Sequence, residues 1–307
     1  MSNSIRSRLL GGIFKLSGYK KVFAKPEEEL LESFRKENEK CVFKLPTDKN
    51  AIYSDVVINE EKDHHCLRMQ KEEKPSEKAV LFLCGGGFVR GINDHAVKSA
   101  RNYGEKSGRD VWLPYYPLCI DNCVTETYTM VYQTYKEMLK IYKPENIAFL
   151  GFSSGGAMAI GLCCHINALK EPNVSMPNLI IAVSPGSIPY YEEEKKKMEE
   201  LNDLDVMLDK NFMVDTVKKI MVKDQDVPDY LVHTILGDFT NFPMTHIYYA
   251  THEILYAEAE YFEKAFKKYN VQYQMHIREG LFHCYPSITF YPEGREAEEE
   301  IIGYLSN

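Results

Sequence analysis

The sequence predicts an α/β fold with a mostly parallel central sheet and helices on both faces. Three observations carry this. Between residues 79 and 278 short apolar runs alternate with stretches of helical periodicity, the rhythm of repeated strand–helix–strand units. The runs at 79–84, 146–150 and 179–183 are mostly apolar without alternation, as strands buried on both faces of a parallel sheet must be. Finally, Gly151-Phe152-Ser153-Ser154-Gly155 directly follows the second run, and a Gly-x-Ser-x-Gly stretch there marks a sharp strand-to-helix turn.

From the N-terminus, residues 1–45 are charged and helical. Ile5, Leu9, Leu10, Ile13 and Phe14 recur at helical spacing, as do Leu30, Leu31 and Phe34 beyond Pro26. Arg6, Arg8 and Lys15 would suit a helix at a membrane surface. The basic face is short, however, and Glu27, Glu28 and Glu29 follow, which favours a helix laid across the main domain. Residues 51–58 and 64–69 read as an antiparallel strand pair joined by the polar turn 59–63, and the charged stretch 71–78 with Pro75 as a loop. Strand 79–84 runs into Gly85-Gly86-Gly87-Phe88, a backbone suited to close approach by a neighbour.

Helices near 95–107, 126–142 and 157–170 alternate with strands at 110–113, 146–150 and 179–183. The segment 187–240 breaks the rhythm: it is charged and lacks an apolar strand run, so it reads as an insertion above the sheet. The rhythm resumes with strand 245–250 and a helix from about 252, whose apolar stripe is Leu255, Ala259, Phe262, Phe266 and Tyr269. Strand 271–278 alternates apolar and polar residues, as befits one face toward water, and a helix at 296–304 closes the chain.

With 307 residues, 44% hydrophobic and 27% charged, the chain is large enough for a substantial core. Its net charge of -8 disfavours nucleic acid and anionic membranes as obligatory partners. No stretch approaches the roughly 20 apolar residues needed to span a bilayer, and no stable membrane association is expected. Eight cysteines do not make a disulfide framework at this length; Cys84, Cys163 and Cys164 lie in apolar runs, which suits a reducing, cytoplasmic setting. His64-His65-Cys66 and Cys119-x-x-x-Cys123 carry metal-capable atoms, but the first lies in an alternating strand and no second pair completes a tetrahedral site, so no metal is expected.

A serine hydroxyl is a weak nucleophile and needs a base, usually a histidine held by a carboxylate. Six histidines follow Ser153; His283 occupies a loop just beyond a strand's C-terminal end, where open parallel sheets gather their sites, whereas His252, adjacent to Glu253 in a helical turn, points to a different face and is a poor base for Ser153. For the acid, Glu253 follows strand 245–250, although a first-turn glutamate favoured by the helix dipole accounts for it as well or better. Asp238 competes, without a strand end to deliver it. Backbone N–H groups of Gly86, Gly87 and Ser154 are candidate donors to an oxyanion, and Phe88 and Phe152 beside them are expected at the substrate pocket. Phosphate binding by the glycines is disfavoured, since neither Gly-x-Gly-x-x-Gly nor a Lys-Ser/Thr ending is present.

Taken together, Cys84-Gly85-Gly86-Gly87-Phe88, Gly151-Phe152-Ser153-Ser154-Gly155-Gly156, Thr251-His252-Glu253-Ile254-Leu255 and Gly280-Leu281-Phe282-His283 resemble the hormone-sensitive-lipase-like branch of the α/β-hydrolases, a group of bacterial esterases. The resemblance runs from about residue 50 to the end. It implies a single α/β-hydrolase domain over 1–307 with a helical cap from segments 1–45 and 187–240. It also implies Ser153 as nucleophile, Glu253 as acid, His283 as base, and Gly86, Gly87 and Ser154 as oxyanion hole. The implied activity is hydrolysis of a small, short-acyl ester through an acyl-enzyme, with no cofactor.

Three departures bear on this. Cys84 stands where the family has histidine, Phe152 where it has aspartate, and Ser154 where it has alanine. They leave the nucleophile, acid and base in place but allow a looser glycine loop. They also motivate the rival expectation, a catalytically weak or inactive small-molecule binding protein on the same fold.

Overall fold

A computed structural model describes residues 3–307. In chain order the elements are α1 (Ile5–Ser17), α2 (Glu27–Asn38), β1 (Ile52–Asn59), β2 (His64–Gln70), β3 (Ala79–Leu83), α3 (Asp94–Ser107), β4 (Asp110–Pro114) and α4 (Val124–Leu139). They continue with β5 (Ile147–Phe152), α5 (Ser154–Leu169), β6 (Leu179–Val183), α6 (Glu192–Asn202), α7 (Lys218–Val222), β7 (Met244–Ala250), α8 (Ala259–Lys268), β8 (Tyr273–Arg278) and α9 (Pro292–Ser306). The strands form one sheet in the order β1-β2-β4-β3-β5-β6-β7-β8. β2 is antiparallel to both β1 and β4, and every other pairing is parallel.

Burial explains why β3, β5 and β6 read as unbroken runs, and β4 beside them is buried as completely. Every residue of these strands is buried, because apolar layers cover the sheet on both sides. Leu81, Leu83, Phe149, Ile180 and Ala182 face one layer with Trp112, Tyr128 and Phe262. Val80, Phe82, Ala148, Leu150, Ile181 and Val183 face the other with Tyr103 and Ile301. That is the strand period of two written into sequence. β8 sits at the sheet edge, and the expected alternation breaks in its second half: Tyr273 and Met275 are half-buried and Gln274 exposed, but His276 packs on Tyr248 and Ile277 is exposed.

Several boundaries differ from expectation for local reasons. The last helix starts at Pro292, since proline at the first helical position sacrifices no hydrogen bond and has its φ already set. The helix expected from about 252 begins as a 3-10 turn over Ile254–Glu258 and becomes α-helical only at Ala259. Within 187–240, α6 is followed by a π-helical turn over Phe212–Val217 that runs into α7.

The N-terminal segment and the 187–240 segment meet each other. The Phe23 and Phe212 rings lie 4.6 Å apart, Lys219 pairs with Glu27 at 2.7 Å, and Lys20 donates to the Asn202 backbone oxygen. Within α1, Leu10 and Phe14 pack on the domain, whereas Ile5, Leu9 and Ile13, which recur at helical spacing with them, point to solvent. His65 lies between the carboxylates of Asp55 and Asp63, each 2.8 Å from a ring nitrogen, and Cys66 behind it is fully buried.

Candidate active site

The turn at Ser153 is built by glycines that tolerate no side chain. A Cβ on Gly151 would lie 2.0 Å from the Gly155 carbonyl oxygen, and one on Gly155 would lie 2.1 Å from the Leu83 carbonyl oxygen. Real Cβ atoms do not approach backbone so closely, so both positions in Gly-x-Ser-x-Gly must be glycine for α5 to leave β5 against β3. Ser153 itself adopts φ 53 and ψ -123, a conformation L-residues rarely take. Its N–H donates to the Val183 oxygen at 2.8 Å and its carbonyl accepts from Gly156 and Gly186, so the strained turn is locked on three sides.

The Ser153 hydroxyl is 3.0 Å from Nε2 of His283. On the ring's other side, Nδ1 lies 2.7 Å from Oε2 of Glu253, which has no exposed surface. Glu253 is fixed through its second oxygen, which accepts the Ser184 hydroxyl at 2.9 Å and the Ala250 N–H at 2.7 Å. The structure therefore brings together Ser153, His283 and Glu253, which arrive from the ends of β5, β8 and β7. Asp238, the competing acid, is instead a surface residue whose carboxylate accepts from the N–H and hydroxyl of Thr240.

Burial alone would favour a neutral His283. The Cys284 sulfur, 3.4 Å from Nε2, and the Glu253 carboxylate on Nδ1 act in the opposite direction and prevail, so the His283 pKa lies well above that of a free imidazole.

Gly86 and Gly87 have φ of 139° and 62°, values that favour glycine, and a Cβ on Gly86 would meet the Arg90 carbonyl oxygen at 2.7 Å. The N–H groups of Gly86, Gly87 and Ser154 donate to no partner among the described residues. Cys84 is buried, and burial pushes its thiol up to about 12, so it stands as a small apolar neighbour. The loop is tethered without the histidine: Tyr116 donates its hydroxyl to the Cys84 oxygen at 2.8 Å, and Asn38 of α2 donates to the Val89 oxygen at 2.7 Å. Asn38 also accepts from the Gly91 N–H at 2.9 Å.

A cavity of about 320 Å³ opens beside Ser153 and His283. Its far wall comes from the N-terminal and 187–240 segments through Phe23, Met207, Leu208 and Phe212. Phe152 lines it while packing at a tilt against the rings of Phe82 and Tyr103, 5.6 and 5.8 Å away. Phe88 is a correction to the sequence reading: it turns into the hydrophobic core at 3% exposure, and its neighbour Val89 lines the cavity instead.

Two contributors escaped the sequence reading. Ser184, just after β6, holds Glu253 and accepts the Cys284 N–H at 3.0 Å, so it touches both partners' loops. Asp205 is almost fully buried and accepts the N–H groups of Met207, Leu208 and Ile254 at 2.8, 2.9 and 2.9 Å. Burial raises its pKa against the opposing pull of these bonds and of His283. It thereby joins the cavity wall to the turn that follows Glu253. Neither residue falls in a recognisable motif, since the partners that tie them to the site, Glu253 for Ser184 and Ile254 for Asp205, lie 69 and 49 residues along the chain.

The family model of the alpha/beta hydrolase fold matches residues 80–287, and the chain belongs to that family. No curated protein matches the sequence. Among solved structures, an esterase/lipase from an uncultured bacterium is 18% identical with a TM-score of 0.78 over 98% of both chains. EstE5, soaked with p-nitrophenyl butyrate, is 18% identical with a TM-score of 0.78, covering 99% of this chain and 98% of its own. An esterase from the bacterial hormone-sensitive lipase family is 17% identical, with a TM-score of 0.77 over 100% and 99% of the two chains. At this identity the likeness concerns the fold.

Proposed function

We propose that the protein is a serine carboxylester hydrolase. The observation that carries the proposal is the unbroken contact line Ser153 Oγ to His283 Nε2 at 3.0 Å and His283 Nδ1 to Glu253 Oε2 at 2.7 Å. Ser153 attacks the ester carbonyl carbon while His283 takes its proton. Glu253 holds the ring with Nδ1–H toward itself, leaving Nε2 free to accept, and stabilises the imidazolium that forms. The developing oxyanion accepts from the N–H groups of Gly86, Gly87 and Ser154. His283 then returns the proton to the departing alcohol, and water attacks the acyl-enzyme through the same base.

The modest volume beside Ser153 supports a small acyl group, and EstE5, of the same fold, was soaked with a butyrate ester. Ser153→Ala tests the reading: hydrolysis of p-nitrophenyl acetate and butyrate should fall by a factor of about 10⁴ or more with the circular dichroism unchanged. Turnover at the wild-type rate in that variant would refute it.

A further inference from the structure

Helix α1 carries an apolar stripe that the fold leaves outside. Ile5, Leu9, Ile13 and Leu16 are 69%, 62%, 60% and 89% exposed, while Leu10 and Phe14 on the opposite side pack on the domain. At 3.6 residues per turn the four project within an arc of about 80°. Arg6 borders that arc on one side, and Arg8 and Lys15 on the other. Phe290, 65% exposed, lies beneath the Arg6 guanidinium and extends the patch. Residues 1–26 hold six of the chain's 37 basic residues and none of its 45 acidic ones.

We propose that α1 is an interfacial helix that docks the protein reversibly on an anionic lipid surface. A stripe of large apolar residues flanked by cations matches such a surface in both respects: the side chains enter the acyl boundary, and Arg and Lys reach back to anionic headgroups. Charge selects this occupant over a second copy of the chain, because stripe-to-stripe pairing of two α1 helices would bring two clusters of positive charge together. Among the described residues no helix is long and apolar enough to cross a membrane, so the association is peripheral. It also has a functional geometry. Phe14 meets Phe282 edge-on at 5.4 Å, next to His283, and Tyr19 just beyond α1 lines the cavity. A docked α1 would hold the cavity close to esters dissolved in the lipid.

The test is sedimentation of the full-length protein with vesicles of phosphatidylcholine alone or with one quarter phosphatidylglycerol. The wild type should co-sediment with the anionic vesicles, and about tenfold less with neutral ones or in high salt. Leu9→Glu/Ile13→Glu and Arg8→Glu/Lys15→Glu should each cut binding by about tenfold or more. All four side chains are exposed, so both variants should keep the wild-type circular dichroism and hydrolysis of a water-soluble ester. Because binding is read without turnover, it stands or falls separately from the hydrolase assignment. The proposal is overturned if the wild type stays in the supernatant with anionic vesicles, or if neither variant changes binding. It is also overturned if sedimentation equilibrium shows a dimer that Leu9→Glu/Ile13→Glu dissociates while vesicles bind nothing.

Discussion

Glu253 shows how much a single buried carboxylate does in this site. Its two oxygens accept from Ser184, Ala250 and His283, so it orients the imidazole and joins the Cys284 sulfur in raising its pKa. The raised pKa has opposite consequences for stability and catalysis. The ion pair stabilises the fold fully below the free-histidine value of 6.5 and loses that effect as pH rises through the higher folded value. The proposed mechanism needs neutral His283, so the acid limb of kcat/KM should lie above pH 6.5, as a pH–rate profile will show. Glu253→Gln should lower kcat by about 10⁴ through the wrong tautomer and shift the residual acid limb downward. Ser184→Ala should act more mildly, costing about 1–3 kcal/mol in chemical denaturation because the Cys284 N–H loses its acceptor.

At the scale of elements, the elbow and the strands around it form one packing unit. Gly155→Ala would drive a Cβ into backbone atoms of β3, which have no flexible end to yield, and should cost about 3 kcal/mol, read as a lower Tm. Strands β3, β5 and β6 were legible in the sequence because burial on both faces leaves no polar residue to interrupt them, and Gly151 and Gly155 because only glycine fits. Ser153 and His283 were legible from their places at strand ends, Glu253 only with the family resemblance. The orientation of α1 was not, since the helix carries apolar residues on two sides and periodicity cannot say which side is buried. Asp205 was equally hidden: its partner Ile254 is 49 residues away and contributes only a backbone N–H. Phe88 was misplaced because its φ of 62° turns the side chain off the course an ordinary extended residue would take.

Across the whole molecule, the cavity is a junction between the sheet and two segments distant in sequence. Phe212 belongs to the 187–240 segment yet packs against Phe23 and Phe34 and lines the cavity wall. Phe212→Ala should therefore lengthen the acyl chain accepted, raising kcat/KM for p-nitrophenyl hexanoate relative to acetate by about tenfold. An unchanged ratio would mean that the acyl chain lies elsewhere. The central claim is that Ser153 is activated by His283 and Glu253 in the folded protein, and a fluorophosphonate, which reacts only with an activated serine, addresses it most directly. Intact-mass and peptide analysis after labelling should show one adduct, on Ser153, formed by the wild type and absent from Ser153→Ala and unfolded protein. Folded wild-type protein that takes no label at Ser153 would contradict the account and favour a binding protein on the same fold.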